Sequence, residues 1–142
     1  IQHLNIEMAS IDNALVGLIE QTAPSLLALY GVGVDTAATL LVAAGDNPDR
    51  LASERSWAHL CGVTPIPAGS GKTSGRVRLN RGGDRQANAA LYRIVLTRMA
   101  SDDQTSNYVR RRRAQGLNTG EIMRCLKRYV ARQTFKHLPQ AA

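Results

Sequence analysis

One serine stands between two glycines, Gly69-Ser70-Gly71, in the least regular stretch of the sequence. Glycine on both sides lets the backbone come close to a bulky ester and leaves the hydroxyl exposed. Lys72, Arg76, Arg78, Arg81 and Arg85 follow it, a cluster able to neutralise phosphate oxygens and the charge that develops at a pentacoordinate phosphorus. The chemistry these residue types could do is phosphoryl transfer with Ser70 as nucleophile. A serine hydroxyl attacks only when a base or a metal takes its proton. His3, His59 and His137 are scattered, and Asp84 is the nearest carboxylate, without an evident role. On spacing alone, a Gly-Ser-Gly segment is more often a linker than a catalytic turn.

Gly71-Lys72-Thr73 resembles the end of a nucleotide-binding P-loop. That motif requires glycine five positions before Gly71, where Ile66 stands, and a buried strand before it, where the sequence is proline-rich. A P-loop is excluded.

Charge narrows the partner. The net charge of +7 is unevenly spread: residues 1–71 carry two Arg against seven acidic groups, whereas residues 72–142 carry sixteen Lys or Arg against four. A balance of −5 in one half and +12 in the other marks the second half as a polyanion-binding surface. A membrane surface would demand a bulky aromatic face beside the basic residues, and the chain has one Phe, one Trp and four Tyr. Nucleic acid fits better. Arg111, Arg112 and Arg113 within the run Arg110–Arg113, and the set Arg124, Lys127, Arg128 and Arg132, are the further candidates for backbone contact, the alternative being a solvated face. Tyr108 and Tyr129 are candidates for stacking on bases, with core packing the stronger alternative.

The elements that must position these groups read as helices. Ile1, Leu4, Met8, Ile11, Leu15 and Leu18 recur at spacings of three and four, a heptad seam over residues 1–23 that either packs on its own domain or joins subunits as a coiled coil. Pro24 opens a helix, and Gly31-Val32-Gly33 then turns the chain. Asp35 is expected to cap a helix of residues 36–44 ended by Gly45. This arrangement resembles a helix–hairpin–helix unit, in which Gly31 and Gly33 would approach a phosphate at a helix start; a plain tight turn is the alternative, and the flank is not basic. Ser53 caps a short helix that buries Trp57 and Leu60 and ends at Gly62. The Pro/Gly-rich stretch from Thr64 to Gly75 is a long loop, and Arg76–Leu79 alternates as an extended segment. A helix of residues 86–100 buries Ala87, Ala90, Leu91, Ile94, Val95 and Met99, with Arg93 and Arg98 off that face. After a polar segment of residues 101–107, Asn118 and Glu121 form a capping-box pattern that opens a last helix with Ile122, Leu126, Tyr129 and Val130 on its buried side. The fold expected is mainly α, with residues 24–142 as one domain.

Cys61 and Cys125 have no CxxC partner and no disulfide framework, so a reducing cytoplasm is the simplest setting. The chain opens on Ile1 without a signal-peptide pattern, and we expect it to be part of a longer protein.

The order of Leu-Tyr-Gly-Val-Gly (29–33), Trp57-Ala-His-Leu-Cys-Gly, Val63-Thr-Pro, Ser70-Gly71, the basic residues 75–81, Gly82-Gly83-Asp84-Arg85 and Ala90-Leu91-Tyr92 resembles the C-terminal domain of Piv/MooV-type insertion-sequence transposases. The resemblance covers roughly residues 24–135. It implies that Ser70 attacks a DNA phosphate and holds the strand covalently during recombination. It also implies a RuvC-like domain, whose acidic tetrad binds magnesium, before a coiled-coil segment and this domain. By that reading this chain holds no cofactor, Mg2+ belongs to the whole enzyme, DNA is the partner, and a homodimer or higher homo-oligomer forms through the heptads. Some relatives use a guide RNA to choose the two DNA sites. The sequence departs from the family at Ala87-Asn88, where a Leu-Arg pair is common, which removes one phosphate contact unless Arg85 or Arg93 supplies it. The alternative function is a non-enzymatic helix–hairpin–helix-type nucleic-acid-binding module.

Overall fold

The computed structural model describes residues 1–64, 66–67, 77–78 and 83–139. Its elements are α1 (Gln2–Thr22), α2 (Pro24–Leu27), α3 (Val34–Asp46), a 3-10 turn (Pro48–Leu51), α4 (Glu54–Leu60), β1 (Ile66–Pro67), β2 (Val77–Arg78), α5 (Arg85–Ser101), α6 (Asp103–Ala114) and α7 (Thr119–Phe135). The mainly α expectation holds.

Helix α5 is the axis of the packing, because it presents apolar residues on more than one side. Ala87, Ala90, Leu91, Ile94 and Val95 are all buried, and α3, α6 and α7 pack against this helix. Leu26 and Leu40 close the core from the α2–α3 side, and Ile122, Val130 and Ala131 from α7. Each fully buried Leu, Ile or Val contributes about 1.5–3 kcal/mol relative to an exposed one. Trp57 is wholly buried where α4 meets α7, and its indole Nε1 donates a long 3.4 Å bond to the Thr134 hydroxyl.

Side-chain caps set several helix starts. Ser53 Oγ accepts from the Ser56 amide, Asp102 from the Thr105 amide and Asn118 from the Glu121 amide, each satisfying a donor that the first helical turn leaves open. Asn118 Nδ2 also donates to Glu121 Oε1 at 2.9 Å, a side-chain bond in place of the reciprocal backbone bond of a full capping box. Gly62 ends the α4 region at φ 71.

Five local expectations are corrected. Helix α3 begins at Val34 with Gly33 as its cap, and Asp35 lies inside the first turn; the Gly33 amide donates to Thr36 Oγ1 at 3.0 Å, which replaces a carboxylate cap. Gly45 falls within α3, which continues to Asp46. Residues 103–114, read partly as a polar segment, form α6. Its two buried residues, Thr105 and Val109, are too few for a helical period to stand out. Arg98 and Lys127, expected off the buried faces, are buried. Tyr129, expected on the buried side of α7, is 55% exposed.

Helix α1 spans the heptad seam from Leu4 to Leu18, but its one buried residue, Ile19, lies beside that seam, and Leu18 within it is 59% exposed. Leu15 is half-buried, and α1 packs on α2 and α3. Leu4, Met8 and Ile11 of the same seam are about 60% exposed, so most of the stripe is uncovered within one chain.

Candidate nucleic-acid interface

The segment that carries Ser70 is tied at both of its ends. β1 and β2 pair antiparallel, Ile66 with Arg78 and Pro67 with Val77, so the backbone on either side of residues 68–76 meets at a two-rung ladder. A second clamp lies further out. The Asp84 amide donates to the Leu60 carbonyl at 2.6 Å, and Gly83 sits against Gly62 so closely that a Cβ there would fall 2.6 Å from the Gly62 Cα. Asp84 then caps α5, its Oδ1 accepting from the Ala87 amide at 2.9 Å. The Gly-Asp pair therefore joins the returning chain to the end of α4 and starts the central helix in one step. This gives Asp84 a structural task.

Ser70, Lys72, Arg76 and Arg81 lie outside the described residues. So does the side chain of Arg78, whose backbone belongs to β2. Arg85 is exposed in the first turn of α5. Asn88, one of the two departures from the family pattern, has a different partner set: its Nδ2 donates to the Cys61 carbonyl at 2.9 Å, and its Oδ1 accepts from Lys127 Nζ at 3.2 Å. It braces the same junction. Burial lowers the Lys127 pKa, and the nearby Arg124 charge lowers it further. Cys61 lies at this junction too, where burial, with a smaller contribution from the Asp84 charge, pushes its thiol far up. A thiol that stays protonated is no nucleophile.

Gly31 has a left-handed backbone, φ 80, and a Cβ there would stand 3.2 Å from the Ile94 carbonyl and 3.3 Å from Arg98 Cγ. Its glycine is required for packing against α5. Gly33 is open to solvent, with nothing within 4 Å of a Cβ. A depression of about 590 Å3 lies over this turn and brings Arg93 into reach of the α3 start, together with the carboxylates of Asp12 and Asp35. Two acidic groups beside one arginine counter the positive helix end.

The arginines of α6 and α7 converge elsewhere. A groove of about 730 Å3 runs between these helices and the end of α5. Arg98, Arg111, Arg128 and Arg132 line it, along with Tyr30, Tyr108 and Tyr129. Arg98 is held in place: its Nε donates to the Tyr30 carbonyl at 2.8 Å, while the Tyr30 hydroxyl donates to Ser101 Oγ at 2.8 Å, fixing the Gly31 turn to the end of α5. Burial lowers the Arg98 pKa, partly offset by Tyr129 and Asp102. Arg111 lies over the Tyr108 ring at 5.4 Å and Arg112 at 5.9 Å, within cation–π range. Arg112 also donates to Gln115 Oε1 and Arg113 to Thr119 Oγ1, so Arg113 points to the α6–α7 turn. Asp102 is the one carboxylate among the described residues that line the groove, and it accepts from the Thr105 amide and hydroxyl; Arg132 also stands 4.0 Å from Glu54.

Arg85 and Arg98 are thirteen positions apart on α5, which is about 20 Å along a helix. The Gly83–Asp84 junction and the groove therefore stand towards opposite ends of the central helix. Sequence reasoning named Arg111 and Arg128 but missed Arg98 and Tyr30; the signal available was the 3-4 spacing that puts Arg98 in line with Leu91, Ile94 and Val95.

Among the described residues no helix is long and apolar enough to cross a membrane, and no group of three or more His, Cys, Asp or Glu could hold a metal ion. Comparison with known proteins finds a match to the transposase IS116/IS110/IS902 family over residues 23–110. An uncharacterized 42 kDa protein of insertion element IS900 from Mycobacterium paratuberculosis is 30% identical over 106 residues, covering 75% of this chain and 27% of that protein. An uncharacterized 43.6 kDa protein of insertion element IS110 from Streptomyces coelicolor is 33% identical over 110 residues, 77% of this chain and 27% of the relative. The chain thus spans about a quarter of the length of these relatives. The match runs from α2, through both clamps on the Ser70 segment and all of α5, into α6, and so takes in the elements just described as its frame. The chain belongs to the IS116/IS110/IS902 family of insertion-sequence transposases.

Proposed function

We propose that this chain is the C-terminal catalytic subdomain of a DNA transposase, with Ser70 as the nucleophile. In the step, Ser70 Oγ forms a bond to a DNA phosphorus and one bridging P–O bond breaks. The departing oxygen takes up a proton to become a deoxyribose hydroxyl, and a general base accepts the proton that Ser70 gives up. Energy is conserved in the phosphoserine diester, so reversal onto a second DNA end rejoins the strand without a further energy source. Lys72, Arg76, Arg78, Arg81 and Arg85 serve the phosphate, as their order after Ser70 indicates. The observation that carries this reading is family membership together with the double clamp, Gly83 on Gly62 and Asp84 on Leu60, that returns the Ser70-bearing segment to the start of α5.

By the same resemblance, magnesium in this scheme belongs to a RuvC-like domain of the whole enzyme. No step is assigned to it here. The exposed heptad face of α1 joins subunits into a homodimer or higher homo-oligomer. DNA is the partner, and a guide RNA is the additional partner if this member follows those relatives that use one.

Covalent capture tests the nucleophile. A nicked suicide DNA substrate incubated with the full-length protein is expected to leave an adduct that survives denaturation and maps to Ser70. An adduct formed equally by Ser70→Ala overturns the assignment.

A second reading is a non-enzymatic nucleic-acid-binding module. The arginine-lined groove favours it, since that groove is complete without Ser70. Absence of any adduct with strand binding intact is the result that selects it.

A further inference from the structure

We infer that the groove between α6, α7 and the end of α5 is a subsite for an unpaired nucleotide, with Tyr129 as the stacking platform and Arg98, Arg111, Arg128 and Arg132 as the phosphate clamp. The inference rests on the DNA-handling reading above and names the form of nucleic acid that this part of the chain takes.

Three observations carry it. The first is the combination of side chains. Phosphates of a duplex are gripped well by arginines on an open face, and a phenol ring adds little there, because the base faces of a duplex are stacked on one another. Here two rings are about half exposed in the concavity, Tyr129 at 55% and Tyr30 at 51%. The Tyr30 hydroxyl is engaged with Ser101, which leaves Tyr129, the more exposed ring, as the platform. A ring offered beside several guanidinium groups matches the chemistry of single-strand binding, in which bases stack on aromatics while cations follow the backbone.

The second is size and charge. A groove of about 730 Å3 is within the range of small-ligand sites, ample for a nucleotide and too confined for a double helix. Four arginines line it against the single carboxylate of Asp102 among the described lining residues, and Glu54 stands at 4.0 Å from Arg132 at the exposed edge, so the balance of charge at the groove is positive.

The third is an unanswered polar atom. Gln133 lines the groove, and its Oε1 is buried without a hydrogen-bond partner among the described residues. A buried amide oxygen left unpaired is costly, and a side-chain rotation that turned it into the groove would let the amine of an unstacked base supply the missing donor.

The test is fluorescence anisotropy with labelled oligo-dA and oligo-rA of about 12 nucleotides, a length within single-strand site sizes, and with a blunt duplex of the same length. The single strands are expected to bind more tightly than the duplex. Tyr129→Ala is expected to weaken single-strand binding about tenfold, the scale of one lost base–aromatic stack, and to leave duplex binding unchanged. Tyr129→Phe, which keeps the ring, is expected to stay within about twofold, since stacking uses the π face. Because Tyr129 is exposed, circular dichroism of the alanine variant is expected to match the parent; Arg132→Gln, also on the surface, provides a second variant that lowers affinity for the strands. A preference for the deoxy or the ribo strand identifies which nucleic acid the subsite takes in the element, and either supports the inference. Equal loss on strand and duplex, or no loss with Tyr129→Ala, overturns it. Ser70 does not enter these measurements, so failure here leaves the nucleophile reading standing, and failure of covalent capture leaves this one.

Discussion

Gly83 and Gly62 meet backbone to backbone: a Cβ placed on Gly83 would lie 2.6 Å from both the Cα and the amide nitrogen of Gly62. Two main chains can approach that closely only when no side chain intervenes. The contact fixes where the Ser70-bearing segment rejoins the domain, and the Asp84–Leu60 bond beside it fixes the direction in which α5 leaves. A motif that reads as Gly-Asp in the sequence is thus a joint between the end of one helix and the start of the next.

Gly83→Ala is expected to destabilise the fold by about 1–3 kcal/mol, as overpacking against unyielding backbone does. Gly45→Ala is the control, because nothing lies within 4 Å of its Cβ and it sits inside α3. That substitution is expected to raise stability by up to about 1 kcal/mol. Urea unfolding of the two variants decides the matter, and equal effects would show that the Gly62 contact is not a constraint.

Asp84→Ala is expected to cost about 1 kcal/mol through the lost cap on α5, with Asp84→Asn largely restoring it, since either side chain accepts from the Ala87 amide. In covalent capture with the full-length protein, Asp84→Asn is expected to retain the Ser70 adduct. Loss of the adduct in that variant, with stability intact, would make Asp84 a participant in the chemistry.

Alkaline pH separates the two cysteines. The folded-state pKa of Cys61 is raised, so above the ordinary thiol value of roughly 8.5 the unfolded chain loses a proton that the folded chain keeps. The unfolded state then binds fewer protons, and stability falls as pH rises through that value. Lys127 has the opposite sign: its folded pKa is lowered, so stability rises towards the ordinary lysine value. Cys61→Ala is expected to remove the thiol's alkaline loss in a pH series of urea midpoints. Ellman's reagent is expected to modify the half-buried Cys125 in the native protein and Cys61 only after unfolding.

The uncovered heptads predict self-association. Sedimentation of the chain is expected to show a concentration-dependent dimer or larger oligomer, and Ile11→Glu is expected to return it to monomer with the helical signal unchanged, because Ile11 is 60% exposed in one chain. A monomer at all concentrations would assign the stripe another use.

Salt dependence reads the basic helix. Neutralising Arg111 and Arg113 to Gln is expected to lower the slope of log affinity against log salt by up to about 0.7–0.9 for each phosphate contact removed. Arg113 is tied to Thr119, so Arg111, which lines the groove, is expected to account for most of the change. An unchanged slope would mark the arginine run as a solvated face.

The helical class, the caps at Ser53 and Asn118, the apolar stripe of α1, the burial of Trp57 and the asymmetry of charge are all legible in the residue order, because periodicity, capping chemistry and composition are local properties. It also carried the family, through the order of short motifs along the chain. Helical spacing puts Arg98 in line with Leu91, Ile94 and Val95, but what satisfies an arginine inside is a tertiary matter. Arg98 is buried because the Tyr30 carbonyl, sixty-eight residues earlier, faces its Nε, and no local pattern encodes a partner at that distance. The same holds for Tyr129, whose place on the helical period suits a core but whose neighbours across the groove are arginines. Lys127 went the other way, drawn inside by Asn88. Local sequence sets what each helix can offer; the docking of α5 against α3, α6 and α7 decides which of those offers is accepted.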